Sequence, residues 1–154
     1  MTNWTDTPLR AASGLPAPQT EPQFYDGILI KRSLAWVVDL AVITALTVGA
    51  GIATFTIGFF LWPVFFVVID TLYRMATLSN RSATWGMRLM GIELRGHDGH
   101  RFDTLQAVLH VLGYAGSVMF VVPLLASFAT MLLTDRRQSL PDMVLGSAAI
   151  NRPS

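Results

Sequence analysis

The chain has 154 residues, of which 52% are hydrophobic and 14% charged, with a formal net charge of +1 and no cysteine. Such a composition is too apolar for an ordinary soluble domain of this length and indicates an integral membrane protein. The small net charge argues against a nucleic-acid partner, and the lack of cysteine excludes disulfides, thiolate metal sites and a cysteine nucleophile.

Charge placement is more informative than charge total. All 11 Lys and Arg residues fall outside two windows, 33–73 and 102–134, which mark the membrane-embedded parts. Residues 1–23 are polar and rich in Pro, Ala, Thr and Ser, lack the basic and apolar regions of a signal peptide, and read as a disordered cytoplasmic tail. Residues 24–151 read as one transmembrane domain, with spans at about 33–50, 54–74 and 104–134. The expected fold class is all-α transmembrane, a helical hairpin plus a third long apolar helical stretch, either a re-entrant hairpin or a single span, with a small cytoplasmic β-hairpin or strand element.

The first span opens on Lys31 and Arg32 and carries a carboxylate at Asp39. On a helix entering the bilayer near Leu34, Asp39 lies about 7 Å deep, where an ionised Asp costs roughly 2.5–3.5 kcal/mol. Arg32 lies two turns earlier on the same face, with the small Ala35 between, and is the expected partner. Ala41, Ala45 and Gly49 form a small-residue strip on the opposite face, suited to close approach by another helix.

Gly49, Ala50 and Gly51 then read as a turn into the second span, where Pro63 is expected to kink the helix. Near its far end Asp70 and Arg74 stand four residues apart, a favourable acid–base order on a helix. Arg32, Asp39, Asp70 and Arg74 therefore fall toward one side of the membrane as an intramembrane polar seam. The next loop holds Arg74, Arg81, Arg88, Arg95 and Arg101, which the positive-inside rule places in the cytoplasm. Within it, residues 89–95 followed by a Gly-containing turn read as a β-hairpin.

Asp103 with Gln106 has the spacing of a capping box. The 31 residues from Thr104 to Thr134 then carry no Lys, Arg, Asp or Glu. That length leaves two arrangements open. Either an interfacial helix feeds one span, or the stretch enters, turns between Gly116 and Pro123, and leaves on the same side. The basic tail with Arg136, Arg137 and Arg152 favours re-entry, with a cytoplasmic C-terminus.

Taken together these segments resemble the RDD family of small bacterial membrane proteins, named for one arginine and two aspartates. Arg32, Ala35 and Asp39 fit its R-x-x-A-x-x-x-D opening. Thr84, Gly86, Arg88 and Gly91 match its T-x-G-K-R-L-L-G-I segment, and Asp98-Gly99 its DG turn. The close carries Asp135, Asp142 and Gly146, with Asp142 as the second aspartate. Met87, Pro141 and Ser147 depart from the family's usual Lys, His and Thr. The resemblance implies a multi-pass protein of the bacterial inner membrane, without a settled activity and with transport suggested for the family. It also implies that a closing strand at 148–151 pairs with 91–95, on the cytoplasmic side.

His97, His100 and His110 form no catalytic or metal-binding motif, so no cofactor, metal site or enzymatic activity is expected. The Arg–Asp pair is expected to organise helix packing. Two other classes remain in view. One is a subunit of a proton- or cation-coupled transporter in which Asp39 titrates, which requires a homo-oligomer. The other is an assembly module whose basic loop meets a membrane protein partner or the anionic lipid headgroups of the bilayer.

Overall fold

A computed structural model describes residues 13–54 and 60–152. Helix α1 runs over Ile28–Ala53 and helix α2 over Trp62–Arg81. A single-turn helix α3, Trp85–Leu89, precedes strand β1, Ile92–Arg95. Helices α4, Thr104–Met119, and α5, Val121–Leu133, follow. The chain closes with helix α6, Leu140–Leu145, and strand β2, Ala148–Asn151.

Helix α1 passes unbroken through residues 49–51, where a turn was expected. Isolated glycines cost a helix only about 1 kcal/mol each and end it only when a competing geometry is available. The helix stops instead at Thr54, whose hydroxyl donates to the carbonyls of Ala50 and Gly51. Its buried positions are Ile28 and then, one per turn, Ala35, Asp39, Ile43, Thr47 and Gly51. Ala41, Ala45 and Gly49 are exposed, so the small-residue strip meets no helix of this chain among the described residues. The hydrogen-bonding demand of Asp39 selects which face turns inward.

The expected second span begins partly at 55–59, outside the described residues. Pro63 does not kink α2. It occupies the first turn, where its missing N–H has no partner to lose. The helix then extends past Arg74 to Arg81.

Asp103 caps α4 with the complete capping box. Helices α4 and α5 are bent by 115° at Phe120, inside the window where the turn was expected. Among the described residues, α1 is the one helix long and apolar enough to cross a membrane alone, and α4 with α5 qualifies as a bent pair.

The expected strand at 89–95 is shorter. Thr84 caps α3 by accepting the Met87 N–H at 3.2 Å, so residues 85–89 are helical and β1 starts at Ile92. Its main partner is β2, antiparallel, with Ile92 opposite Asn151 and Arg95 opposite Ala148. Only an isolated bridge from Arg95 to Arg101 remains of the local hairpin.

Residues 1–12 of the expected disordered tail lie outside the described residues, but from Ser13 onward the tail is packed. Leu15 is buried with Tyr25, Ala148 and Ile150, and the Gly14 N–H donates to the His97 carbonyl at 2.8 Å. One leucine and Tyr25, whose hydroxyl donates to the Pro16 carbonyl, suffice to hold a segment whose composition alone suggested disorder.

The main apolar cluster, including Ile28, Leu78, Ile92, Leu94, Phe102 and Val111, joins the sheet to the adjoining helix ends. Along the helices the usual pattern is inverted. Large apolar side chains such as Val37, Ile52, Val67, Leu72, Val122 and Leu133 are exposed, while Asp39, Thr47, Arg74, His110, Ser117 and Ser127 are buried.

Candidate functional site: two buried carboxylates

The two aspartates of the sequence motifs occupy separate sites, and each ties elements distant in the chain. Asp39 is 1% exposed. Its Oδ1 accepts the Tyr73 hydroxyl at 2.6 Å and the Gly86 N–H at 2.8 Å, and its Oδ2 accepts the Thr84 hydroxyl at 2.5 Å. Donors from α2 and from the start of α3 thus converge on one residue of α1.

The positive charge nearest Asp39 is Arg74, whose Nη1 stands 3.9 Å from Oδ2. Arg74 also donates from Nε to Asp70 at 2.8 Å and lies over the Tyr114 ring, 4.3 Å from its centroid. Three members of the expected polar seam, Asp39, Asp70 and Arg74, are therefore together. Arg32 is not with them.

Arg32 pairs with Asp142 at 2.6 Å, which corrects the expected pairing with Asp39. Residues seven apart share a helix face, but Thr84, Gly86, Tyr73 and Arg74 already satisfy the Asp39 carboxylate. The Arg32 side chain extends instead to α6, where its Nη2 also donates to the Ser139 hydroxyl at 3.2 Å.

Asp142 is fully buried. Its Oδ2 accepts the Ser139 N–H at 3.0 Å and the Ser139 hydroxyl at 2.7 Å, completing a capping box at the start of α6, and its Oδ1 accepts from the Ser147 hydroxyl at 3.3 Å. Burial pushes the Asp142 carboxyl up. The Arg32 guanidinium, aided by His110 and the Ser139 donors, outweighs it and holds the carboxyl below the usual carboxylate range. The His110 Nδ1 lies 3.4 Å from Oδ1 and is the one buried side-chain polar atom without a hydrogen bond among the described residues. From the sequence His110 reads as a core or interfacial residue, which misses this approach because α4 and α6 meet only in the folded chain.

Glu93 is a third buried carboxylate, also missed. It is 0% exposed, accepts from Arg95, and has Arg101 at 3.4 Å and Arg152 at 3.5 Å. Its place in a short, half-apolar strand gave no sign that three arginines would close on it.

The remaining motif residues are placed as follows. Ala35 and Gly86 form the contact between α1 and α3, and a Cβ at Gly86 would lie 2.1 Å from the Ala35 carbonyl oxygen. Gly86→Ala is accordingly expected to force α3 away from Asp39, costing about 1–3 kcal/mol or more in a thermal or denaturant unfolding series. An unchanged stability would mean that α3 is not seated as described. Gly91, Gly99 and Gly146 have positive φ values of 69°, 78° and 64°, so they serve as turn positions. The Asp98 carboxylate accepts the His100 N–H, while Asp135 and Arg88 are exposed.

No curated protein and no solved structure matches the chain. A family model does, over residues 27–146, a stretch that contains Arg32, Asp39 and Asp142 with most of the donors that surround them. By that match the chain belongs to the RDD family.

Proposed function

We propose that this is a multi-pass protein of the bacterial inner membrane. In this reading Asp39 and Asp142 are structural ties that hold a rigid basic cytoplasmic face against the membrane helices. The observation that carries it is saturation: both carboxylates are occupied on both oxygens by donors from other parts of this chain. A carboxylate whose two oxygens are both engaged by its own fold is poorly placed to hold a travelling ion. The outward apolar helix surface supports insertion, because large contiguous apolar exposure requires a membrane or a protein to cover it.

The topology that follows has the N-terminus, the basic loop and the C-terminus all cytoplasmic. Pairing of β1 with β2 requires the loop and the tail to share one side. Single cysteines at His100 and at Arg152 are expected to react with an impermeant maleimide only after permeabilisation. Labelling of one without the other in intact cells would contradict the fold, and labelling of both would invert the orientation.

A second reading, a proton-coupled transport subunit, draws on the unpartnered His110 Nδ1 facing Asp142. It requires proton-dependent cation flux in proteoliposomes that is lost in Asp39→Asn or Asp142→Asn while the fold persists. Flux equal to that of empty liposomes removes it.

A further inference from the structure

The basic loop carries two arginines that its own acids leave unpaired. Arg81 ends α2 and Arg88 lies on α3, both exposed and with side chains that make no hydrogen bond or ion pair among the described residues. The acids nearby are committed elsewhere. Glu93 is enclosed by Arg95, Arg101 and Arg152, Asp98 accepts from the His100 amide, and Asp103 caps α4. Between and beside these cations stand Trp85, 55% exposed, and Leu89, 71% exposed. Within one helical turn, Trp85, Arg88 and Leu89 share a face.

This face is held at a defined level of α1. Asp39 accepts from Thr84 and Gly86, and the Gly86 backbone abuts Ala35, so α3 lies beside residues 35–39 of α1. The outward residues of α1 at that level, Leu34 and Val37, are 49% and 56% exposed. Basic, indole and aliphatic groups side by side at the entry of an apolar helix match the layered chemistry of the headgroup region, phosphate outside and acyl chain inside.

We propose that Arg81, Trp85, Arg88 and Leu89 form a binding site for anionic phospholipid headgroups. Arg81 and Arg88 engage the phosphates, while Trp85 and Leu89 enter the boundary between headgroup and acyl chain. The site rests on the membrane reading above and adds to it a ligand class and a set of residues. The Asp39 tie acquires a second consequence, since it presents the site to the bilayer at a constant depth.

The test uses the full chain reconstituted in phosphatidylcholine vesicles containing phosphatidylglycerol, then extracted gently so that co-purifying lipids can be counted by mass spectrometry. Phosphatidylglycerol is expected to be enriched over phosphatidylcholine, and Arg81→Gln and Arg88→Gln to reduce that enrichment by about fivefold each. Trp85 is expected to be quenched by brominated acyl chains, read as the difference between the wild type and Trp85→Phe. Enrichment unchanged in the Arg81→Gln/Arg88→Gln double variant overturns the site. So does an equal loss in Arg136→Gln/Arg137→Gln, whose side chains donate to the Ser13 hydroxyl and the Leu132 carbonyl and touch no buried carboxylate, which would reflect overall charge alone, or an absence of Trp85 quenching. Flotation with vesicles separates the two levels of inference. Failure of the chain to float overturns the membrane reading with it, whereas flotation without headgroup preference overturns only the lipid site.

Discussion

Asp39→Ala is expected to destabilise the protein by about 3–5 kcal/mol, the range found when one member of a buried charged network is removed. The substitution strands the Gly86 N–H and the hydroxyls of Thr84 and Tyr73, and leaves Arg74 with Asp70 as its remaining carboxylate. Asp39→Asn should cost less, about 1–3 kcal/mol, because the amide oxygen can still accept from Tyr73 and Gly86. Its NH2 can donate to Thr84, whose hydroxyl already accepts from Met87. Graded unfolding of the detergent-solubilised protein measures both. Equal loss in the two variants would show that charge, rather than acceptor geometry, holds the tie. No loss in either would refute the structural role of Asp39.

The second large effect is expected at Arg32 and Asp142. Asp142→Ala should again cost about 3–5 kcal/mol, since it leaves the largely buried Arg32 guanidinium without its carboxylate and removes the cap of α6. The pair replaced together, Arg32→Met with Asp142→Leu, should recover part of the loss, because no uncompensated charge remains. A double-mutant cycle with no coupling would sink the assigned pairing. The pair also sets an acid limit. The folded-state pKa of Asp142 lies below its ordinary value of 3.8, so its contribution is present above about pH 3.8 and is lost as pH falls through the folded value. Arg32→Gln should therefore move the acid-unfolding midpoint upward. A midpoint that stays in place would mean that Arg32 does not depress the Asp142 carboxyl.

Both predictions treat the named residues as ties between sequence-distant elements, and they differ in what each tie joins. Asp39 fastens the start of the basic loop to α1. Asp142 fastens the closing helix to the entrance of the same helix, with Lys31 adding a 2.6 Å bond to Asn151 of β2. Residues at the mouth of α1 thus gather the start of the basic loop and the closing helix and strand into one body.

Several features needed no folded chain to be read. Eleven cations excluded from two long apolar windows are enough to identify the class, since desolvating a charge is costly wherever it happens. The capping box at Asp103 and the Asp70–Arg74 pair depend on neighbours within a turn or two, so spacing alone determined them, whereas for 104–134 spacing left two arrangements open and the folded chain places the bend at Phe120. The same reasoning failed wherever a nearer partner was outcompeted by a distant one. Arg32 and Asp39 share a face, yet α2 supplies Asp39 with the Tyr73 hydroxyl and the loop with the Thr84 hydroxyl and the Gly86 amide, and Arg32 goes to Asp142 across 110 residues. The end of α1, the first turn of α2 and the packing of Leu15 likewise depended on what tertiary contact offered. Burial makes each unsatisfied donor or acceptor costly, so the partner is chosen by the set that satisfies all of them at once, and that set exists only in three dimensions.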